Sequence, residues 1–130
     1  MTQTMSKLPS IDGFDVKAAV ARMLGEPELW WQALALFDTH FGSWDSDWRT
    51  AQGDIALERR KVHSLRSAAA NIGAVRLALD AEVLENFLLT RPDEAATPIA
   101  QGLRRQLQHE FDLARDSVRQ ALATRQVMAH

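Results

Sequence analysis

Apolar residues recur every three or four positions along most of the chain, and no stretch shows the period-two alternation of a strand. This periodicity, together with abundant alanine, leucine, arginine, glutamine and glutamate, favours α-helices throughout. The pattern predicts five helices and a late loop: a short helix after Asp15, a second from Pro27 to about Gln52, a third from Ile55 to about Asn71, a fourth from about Ala74 to Leu89, a loop at 91–96, and a last helix from Thr97 and Pro98 onwards.

The second helix carries a seam of large apolar side chains. Its members are four, three, four, three and four residues apart, which is the spacing of a buried helical stripe: Trp30, Leu34, Phe37, Phe41, Trp44 and Trp48. The regular spacing predicts one continuous helix despite Gly42 and Ser43 in its middle. It also assigns the tryptophans to the core rather than to a cofactor site.

The predicted helix ends carry residues that cap free backbone N–H groups or terminate a helix. Asp15, Asp54 and Thr97 are expected N-caps, and Pro98 follows Thr97 in the first turn of the last helix. Gly25 and Gly73 stand where a terminating glycine is expected. The later helices are expected to bury three stripes: Leu57, Val62, Leu65, Ala68, Ala69 and Ile72 on the third, Leu77, Ala81, Leu84 and Leu88 on the fourth, and Ile99, Leu103, Leu107, Ala114, Val118 and Leu122 on the last.

Short connections between the long helices favour neighbours that alternate in direction. We therefore expect an all-α fold, an antiparallel up-down four-helix bundle with an additional short N-terminal helix. A length of 130 residues fits a single domain over residues 1–130. Within it, residues 1–10 are expected to be flexible, and the bundle is expected to span about 15–126.

Composition and charge argue against several classes of function. A formal net charge of -2 argues against bulk electrostatic binding of nucleic acid or of an anionic membrane. The absence of cysteine excludes disulfides, thiolate metal sites and thiol nucleophiles. The polar N-terminus lacks the apolar run of a signal peptide, and no stretch approaches the roughly 20 apolar residues of a membrane span. We expect a cytoplasmic protein.

The third helix places one histidine among cations. With 100 degrees of rotation per residue, His63 points away from the apolar stripe of that helix. Its neighbours, all within about 60 degrees of it on the helical wheel, are basic or small: Arg59, Arg60, Arg66, Ser67 and Ala70. Lys61 falls nearer the stripe, so either its side chain extends from the edge of the stripe to solvent or the helix departs from the regular wheel.

This combination of neighbours and spacing suits a nucleophile that carries an anionic group. One imidazole nitrogen can attack at neutral pH while the other keeps its proton. Guanidinium groups neutralise phosphoryl oxygens, and the small Ser67 and Ala70 leave a flat platform for another protein. A solvent-facing histidine on an arginine-rich helix is the alternative, and spacing alone favours that alternative.

The sequence contains no residue pattern for a metal site, a phosphate-binding loop or a cofactor site. His40, His109 and His130 lack metal-ligand spacing, so no metal site is predicted. No glycine-rich run of the kind that cradles phosphates is present, and direct use of ATP is therefore not expected. A cofactor-binding bundle would need a ligand set that these residues do not supply.

The run from His63 to Ala74, HSLRSAAANIGA, resembles the signature of histidine-containing phosphotransfer (HPt) domains. That signature reads His-x-Leu-Lys-Gly-x-Ala and is followed by an Ile/Leu-Gly that ends the helix. Residues 8–37 are similar to the opening segment of HPt modules in bacterial hybrid sensor kinases, and residues 77–85 are similar to the helix after the signature. The resemblance therefore covers residues 8–89 by motif and the remainder by helix count.

The resemblance implies a role for each matched position. His63 would be phosphorylated through Nε2, and Arg66, where the family usually has lysine, would hold the phosphoryl oxygens. Glu85 stands where a Gln or Glu of the family can accept the Nδ1 proton; an ordinary solvated glutamate is the alternative. The partner-facing positions would be Arg59, Arg60, Ser67 and Ala70.

Two positions depart from the family pattern. Ser67 replaces the glycine that follows the cation, which adds a hydroxymethyl group where a receiver domain must approach. Arg66 keeps the charge of lysine but has a wider, planar head group. Both departures bear on the transfer rate and on the choice of partner.

The implied function is that of a phosphocarrier between response-regulator receiver domains, with a hybrid sensor histidine kinase as a further partner. It would have no ATP-dependent kinase activity and no cofactor of its own, because the Mg²⁺ would belong to the receiver. It would be a monomer that binds neither nucleic acid nor membrane. The alternative is a non-phosphorylated helical module that docks on a receiver or kinase and inhibits it.

Overall fold

The computed structural model describes residues 8–128, and these residues form α-helices without a strand, as the periodicity predicts. The predicted loop at 91–96 contains a short 3-10 helix, Pro92–Glu94. Residues 1–7 of the segment predicted to be flexible lie outside the described residues, while Leu8 packs partly buried against the core. The six helices are α1 (Val16–Arg22), α2 (Pro27–Phe41), α3 (Trp44–Ala51), α4 (Ile55–Asn71), α5 (Val75–Thr90) and α6 (Pro98–Met128).

Side-chain caps begin three of the helices where the sequence predicts them. Asp15 Oδ1 accepts a hydrogen bond from the backbone N–H of Ala18 at 3.1 Å, and Asp54 Oδ1 accepts one from Leu57 at 3.1 Å. Thr97 Oγ1 accepts a longer bond of 3.4 Å from a backbone N–H in the first turn of α6. Each cap satisfies an amide that has no partner within its helix, and the predicted caps are therefore confirmed.

The prediction of one helix from Pro27 to about Gln52 is wrong. The chain leaves helical geometry at Ser43 (φ -119°, ψ 22°), between α2 and α3. Glycine and serine are both weak helix formers, and a Cβ on Gly42 would lie 2.6 Å from the carbonyl oxygen of Asp38. The spacing of the seam persists across the break because its side chains still face the core; Phe41 is half-buried and the other members are buried.

One hydrophobic core joins residues from all six helices. The four positions predicted on α5 are all buried, but the stripe predicted for α6 is partly wrong. Ile99 is 60% exposed, whereas Ala100 and Phe111 are fully buried. Phe111, which the predicted stripe omits, packs inward against Trp44 and adds a large ring to the core face of α6.

α4 is held against the rest of the protein by two indole groups. Trp30 Nε1 donates to the carbonyl oxygen of Ile72 at 2.9 Å, just past the end of α4. Trp44 Nε1 donates to the carbonyl oxygen of Lys61 at 2.9 Å, near the middle of α4. Because α5 packs along a further side of α4, only one face of this helix remains open to solvent.

A buried ion pair ties α4 to α6 below that open face. Arg104 donates from Nε and Nη2 to the two carboxylate oxygens of Glu58, at 2.8 and 2.9 Å. Trp48 Nε1 donates to the same carboxylate at 2.9 Å, and Arg104 also donates to the carbonyl oxygen of Ala95. Glu58 is completely buried, so these bonds replace its hydration. The stripe predicted to be buried on α4 did not include Glu58.

Gly73 turns the chain from α4 into α5 and sets the alignment of the two helices. Its φ of +82° lies in the left-handed region, and a Cβ there would stand 2.6 Å from the carbonyl oxygen of Asp15. Its own carbonyl oxygen accepts a bond of 2.7 Å from the Asp15 N–H. The turn therefore needs glycine for both conformation and space.

We expect Gly73→Ala to lower the free energy of unfolding by roughly 2–5 kcal/mol, from backbone strain and overpacking together. Gly25→Ala is the matched control, because Gly25 has φ +70° but a Cβ added to it would meet no atom within 4 Å. The control should show only the strain of about 1–2 kcal/mol. Urea unfolding of both variants provides the measurement, and equal losses would contradict the close approach at Gly73.

Within residues 8–128, no helix combines the length and the apolar character that crossing a membrane requires.

Candidate functional site

His63 lies on the open face of α4. Its side chain is 54% exposed, while Val62 and Leu65 on the opposite face of the helix are completely buried. These neighbours in sequence thus divide the helix into a core side and a solvent side, as the 3.6-residue period requires. The imidazole is accessible to a second molecule.

The carboxylate of Glu85 on α5 holds one edge of the imidazole. Glu85 Oε2 lies 2.7 Å from His63 Nδ1. An ionised carboxylate can only accept, so Nδ1 carries the proton and donates it in this bond. In the neutral imidazole, Nε2 then has a free lone pair and is the nitrogen that can act as a nucleophile.

Arg66 supports the same carboxylate from the other side. Its Nε donates to Glu85 Oε1 at 2.6 Å, so each oxygen of Glu85 has its own partner. Arg66 Nη2 lies 3.1 Å from His63 Nδ1. Because that nitrogen already carries a proton, this approach is a contact rather than a hydrogen bond. Arg66 thus lies at the Nδ1 edge of the ring.

A shallow depression of about 370 Å³ opens beside the imidazole. It joins the basic residues that precede His63 on α4 with two side chains of α5, and its lining is Arg59, Arg60, His63, Ser64, Glu85 and Leu89. Ser64 and Leu89 were not predicted from the sequence. Leu89 follows Glu85 by four residues, one turn along the same face of a helix, and this spacing was the signal that could have identified it.

Ser67 and Ala70 lie apart from this depression. Both are exposed on α4, one and two turns beyond His63. The Ala70 carbonyl oxygen accepts a bond of 2.7 Å from Arg22 Nη2, which ties the last turn of α4 to α1. The structure therefore brings His63, Arg66 and Glu85 into direct contact, while the predicted platform residues extend along the helix.

The remaining histidines form no comparable site. His40 and His109 are exposed, and His130 lies outside the described residues. Within residues 8–128, no group of three or more His, Asp or Glu side chains is arranged to hold a metal ion.

The fold and the site define a class: small all-helical proteins that present one oriented histidine on an exposed helix face. A family model described as Hpt domain matches residues 29–117, which include His63, Arg66 and Glu85. The chain therefore belongs to the Hpt-domain family, and the resemblance seen in the sequence is confirmed. Hpt domains perform histidine phosphotransfer in two-component phosphorelays, where they interact with receiver domains and kinases. Comparisons with curated proteins and with solved structures gave no match.

Proposed function

We propose that this protein accepts a phosphoryl group on Nε2 of His63 from the aspartyl phosphate of a receiver domain and donates it to the aspartate of another. The observation that carries the proposal is the 2.7 Å contact between His63 Nδ1 and Glu85 Oε2. This contact leaves the lone pair of Nε2 free on an exposed helix face. The assignment of His63 as the phosphorylated residue rests on that geometry together with the family signature.

In the transfer step, the Nε2 lone pair attacks phosphorus while the bond from phosphorus to the aspartyl oxygen breaks. The aspartate leaves as a carboxylate, and the Nδ1 proton stays on the ring. The phosphorylated imidazole is then cationic, and the negative charge of Glu85 stabilises it at 2.7 Å. In the reverse step the leaving group is neutral imidazole, which departs more readily than an imidazolate.

The partner supplies the rest of the catalytic apparatus in this proposal. Mg²⁺ belongs to the receiver domain, and this chain needs no cofactor and no ATP of its own. Ser67 and Ala70 support the proposal as a sparsely covered stretch of α4 on which a receiver can rest. A hybrid sensor histidine kinase is a further partner, and the protein acts as a cytoplasmic monomer that binds neither nucleic acid nor membrane.

The proposal includes an antiparallel up-down four-helix bundle as the supporting scaffold. Its four members are the combined α2 and α3 segment, α4, α5 and α6, with α1 as the additional N-terminal helix. The short connection through Gly73 supports a reversal of direction between α4 and α5. Such a reversal places Glu85 beside His63 although 22 residues separate them.

The test is incubation with a phosphorylated receiver domain, followed by assay of the phosphate on this protein. We expect a phosphate that is labile in acid and stable in base, and no labelling of His63→Gln. The variant should keep its circular dichroism and melting temperature, because an exposed side chain contributes little to stability. Binding to receivers without any labelling would instead identify a docking or inhibitory module.

A further inference from the structure

The guanidinium of Arg66 is engaged at the wrong edge of the imidazole for a phosphoryl group on Nε2. Its Nε is bonded to Glu85 at 2.6 Å, and its Nη2 lies 3.1 Å from His63 Nδ1. Nε2 is on the far side of the five-membered ring from Nδ1. A phosphoryl group bonded to Nε2 therefore extends away from the edge at which Arg66 is held.

Arg59 and Arg60 precede His63 by one helical turn and line the depression beside it. Helical side chains lean toward the N-terminus of their own helix, so His63 leans over the turn that carries these two residues. On the helical wheel they flank His63, at about 40 degrees on one side and about 60 degrees on the other. Arg59 and Arg60 therefore lie on the side of His63 toward which its imidazole extends.

Among the described residues, the two arginines are also free of other partners. Neither side chain makes an ion pair or a hydrogen bond there, although Glu58 is adjacent in sequence and Glu85 lines the same depression. By contrast, Arg66 has Glu85 and Arg104 has Glu58. An unpaired guanidinium keeps all of its donors available for an incoming anion.

We infer that Arg59 and Arg60 are the residues that bind the phosphoryl group on His63, while Arg66 is a positioning residue that acts through Glu85. This inference rests on the proposed function and identifies the residues that neutralise the charge of the transferred phosphoryl group. The two guanidinium groups neutralise the phosphoryl oxygens as charge passes to this protein, one from each side of the imidazole. The charge that family members place three residues after the histidine is therefore supplied here from the preceding turn.

A small phosphoryl donor allows the phosphorylation of His63 to be measured without docking of a receiver domain. With phosphoramidate, whose nitrogen is protonated as –NH3⁺, the bond from Nε2 to phosphorus forms as the phosphorus–nitrogen bond of the donor breaks, and ammonia leaves with the protons it already carries. The Nδ1 proton remains with His63 and Glu85 throughout. No protein partner takes part, so a lost partner contact cannot account for a slower reaction.

The experiment measures the rate of phosphohistidine formation from phosphoramidate in the full chain. The variants are Arg59→Gln with Arg60→Gln as a double substitution, His63→Gln, and Lys17→Gln with Arg105→Gln as the matched control. Lys17 on α1 and Arg105 on α6 are exposed and have no side-chain bond within the described residues, so their loss removes the same two charges and nothing else. We expect the double variant to react roughly ten- to a hundredfold more slowly, and the control to stay within about twofold.

The outcomes separate the inference from the proposed function. A double variant that reacts as fast as the two-charge control, while His63→Gln remains unlabelled, would overturn the role of Arg59 and Arg60 and leave the proposed function intact. Equal slowing of the double variant and the control would also overturn it, because net charge would then be the cause. Undiminished labelling of His63→Gln would overturn the proposed function itself and the inference with it.

Discussion

Glu85→Leu is expected to slow phosphoryl transfer to His63 by roughly ten- to a hundredfold, the loss of one charge-assisted hydrogen bond. The reason is a change in which nitrogen carries the proton. Without the carboxylate, Arg66 loses its partner while its Nη2 remains 3.1 Å from Nδ1. Arg66 can then donate to Nδ1, which moves the ring proton to Nε2 and blocks the lone pair that attacks phosphorus.

A double-mutant cycle tests this explanation. Arg66→Leu alone should slow transfer less than Glu85→Leu, because His63 can still donate to the carboxylate. The double variant should transfer faster than Glu85→Leu, because the competing donor has been removed. Glu85→Gln should keep part of the rate, since its amide oxygen can accept the same proton but lacks the negative charge that stabilises the phosphorylated ring. Additive losses in the double variant would show that Arg66 does not compete for Nδ1.

Arg104→Ala is expected to lower the free energy of unfolding by about 3–5 kcal/mol, because it leaves the carboxylate of Glu58 buried without its cation. Glu58 is completely buried, and Trp48 alone cannot replace the two bonds that Arg104 donates. The loss is comparable to much of the stability of a typical domain. Chemical denaturation monitored by tryptophan fluorescence gives the value.

Two controls isolate the buried charge as the cause. Arg105→Ala, one residue further along α6 and exposed, should change the free energy of unfolding by less than about 0.5 kcal/mol. Replacing both Glu58 and Arg104 by methionine should recover part of the loss, because the unpaired charge disappears. A double variant less stable than Arg104→Ala would show that the hydrogen bond from Trp48 to Glu58 matters more than the unpaired charge of Glu58.

The parts of the fold that depend on local sequence were predictable. Asp15 and Asp54 cap the helices that follow them because a short side chain with an acceptor, placed just before an apolar periodic run, can bond a free backbone N–H of the first turn. The position of His63 opposite the buried Val62 and Leu65 likewise follows from the helical period alone. What each site residue does in transfer remains a prediction.

The errors have two causes, an ambiguous local pattern and a contact between distant residues. The aromatic seam keeps its spacing across two helices, so periodicity alone does not reveal the break at Gly42 and Ser43. Glu58 falls inside the apolar face of α4 on the helical wheel, and that position was a usable sign of a buried carboxylate. Its partner Arg104 lies 46 residues away, and periodicity within one helix cannot identify such a pair.

The most direct measurement of the central claim is the NMR spectrum of the His63 ring nitrogens before and after phosphorylation by a receiver domain. In the ¹⁵N-labelled protein, we predict that Nδ1 is protonated in both states and that Nε2 couples to phosphorus only after transfer. The 2.7 Å bond to Glu85 is the physical basis of both expectations. Phosphorus coupled to Nδ1, or a phosphate on any residue other than His63, would contradict the account.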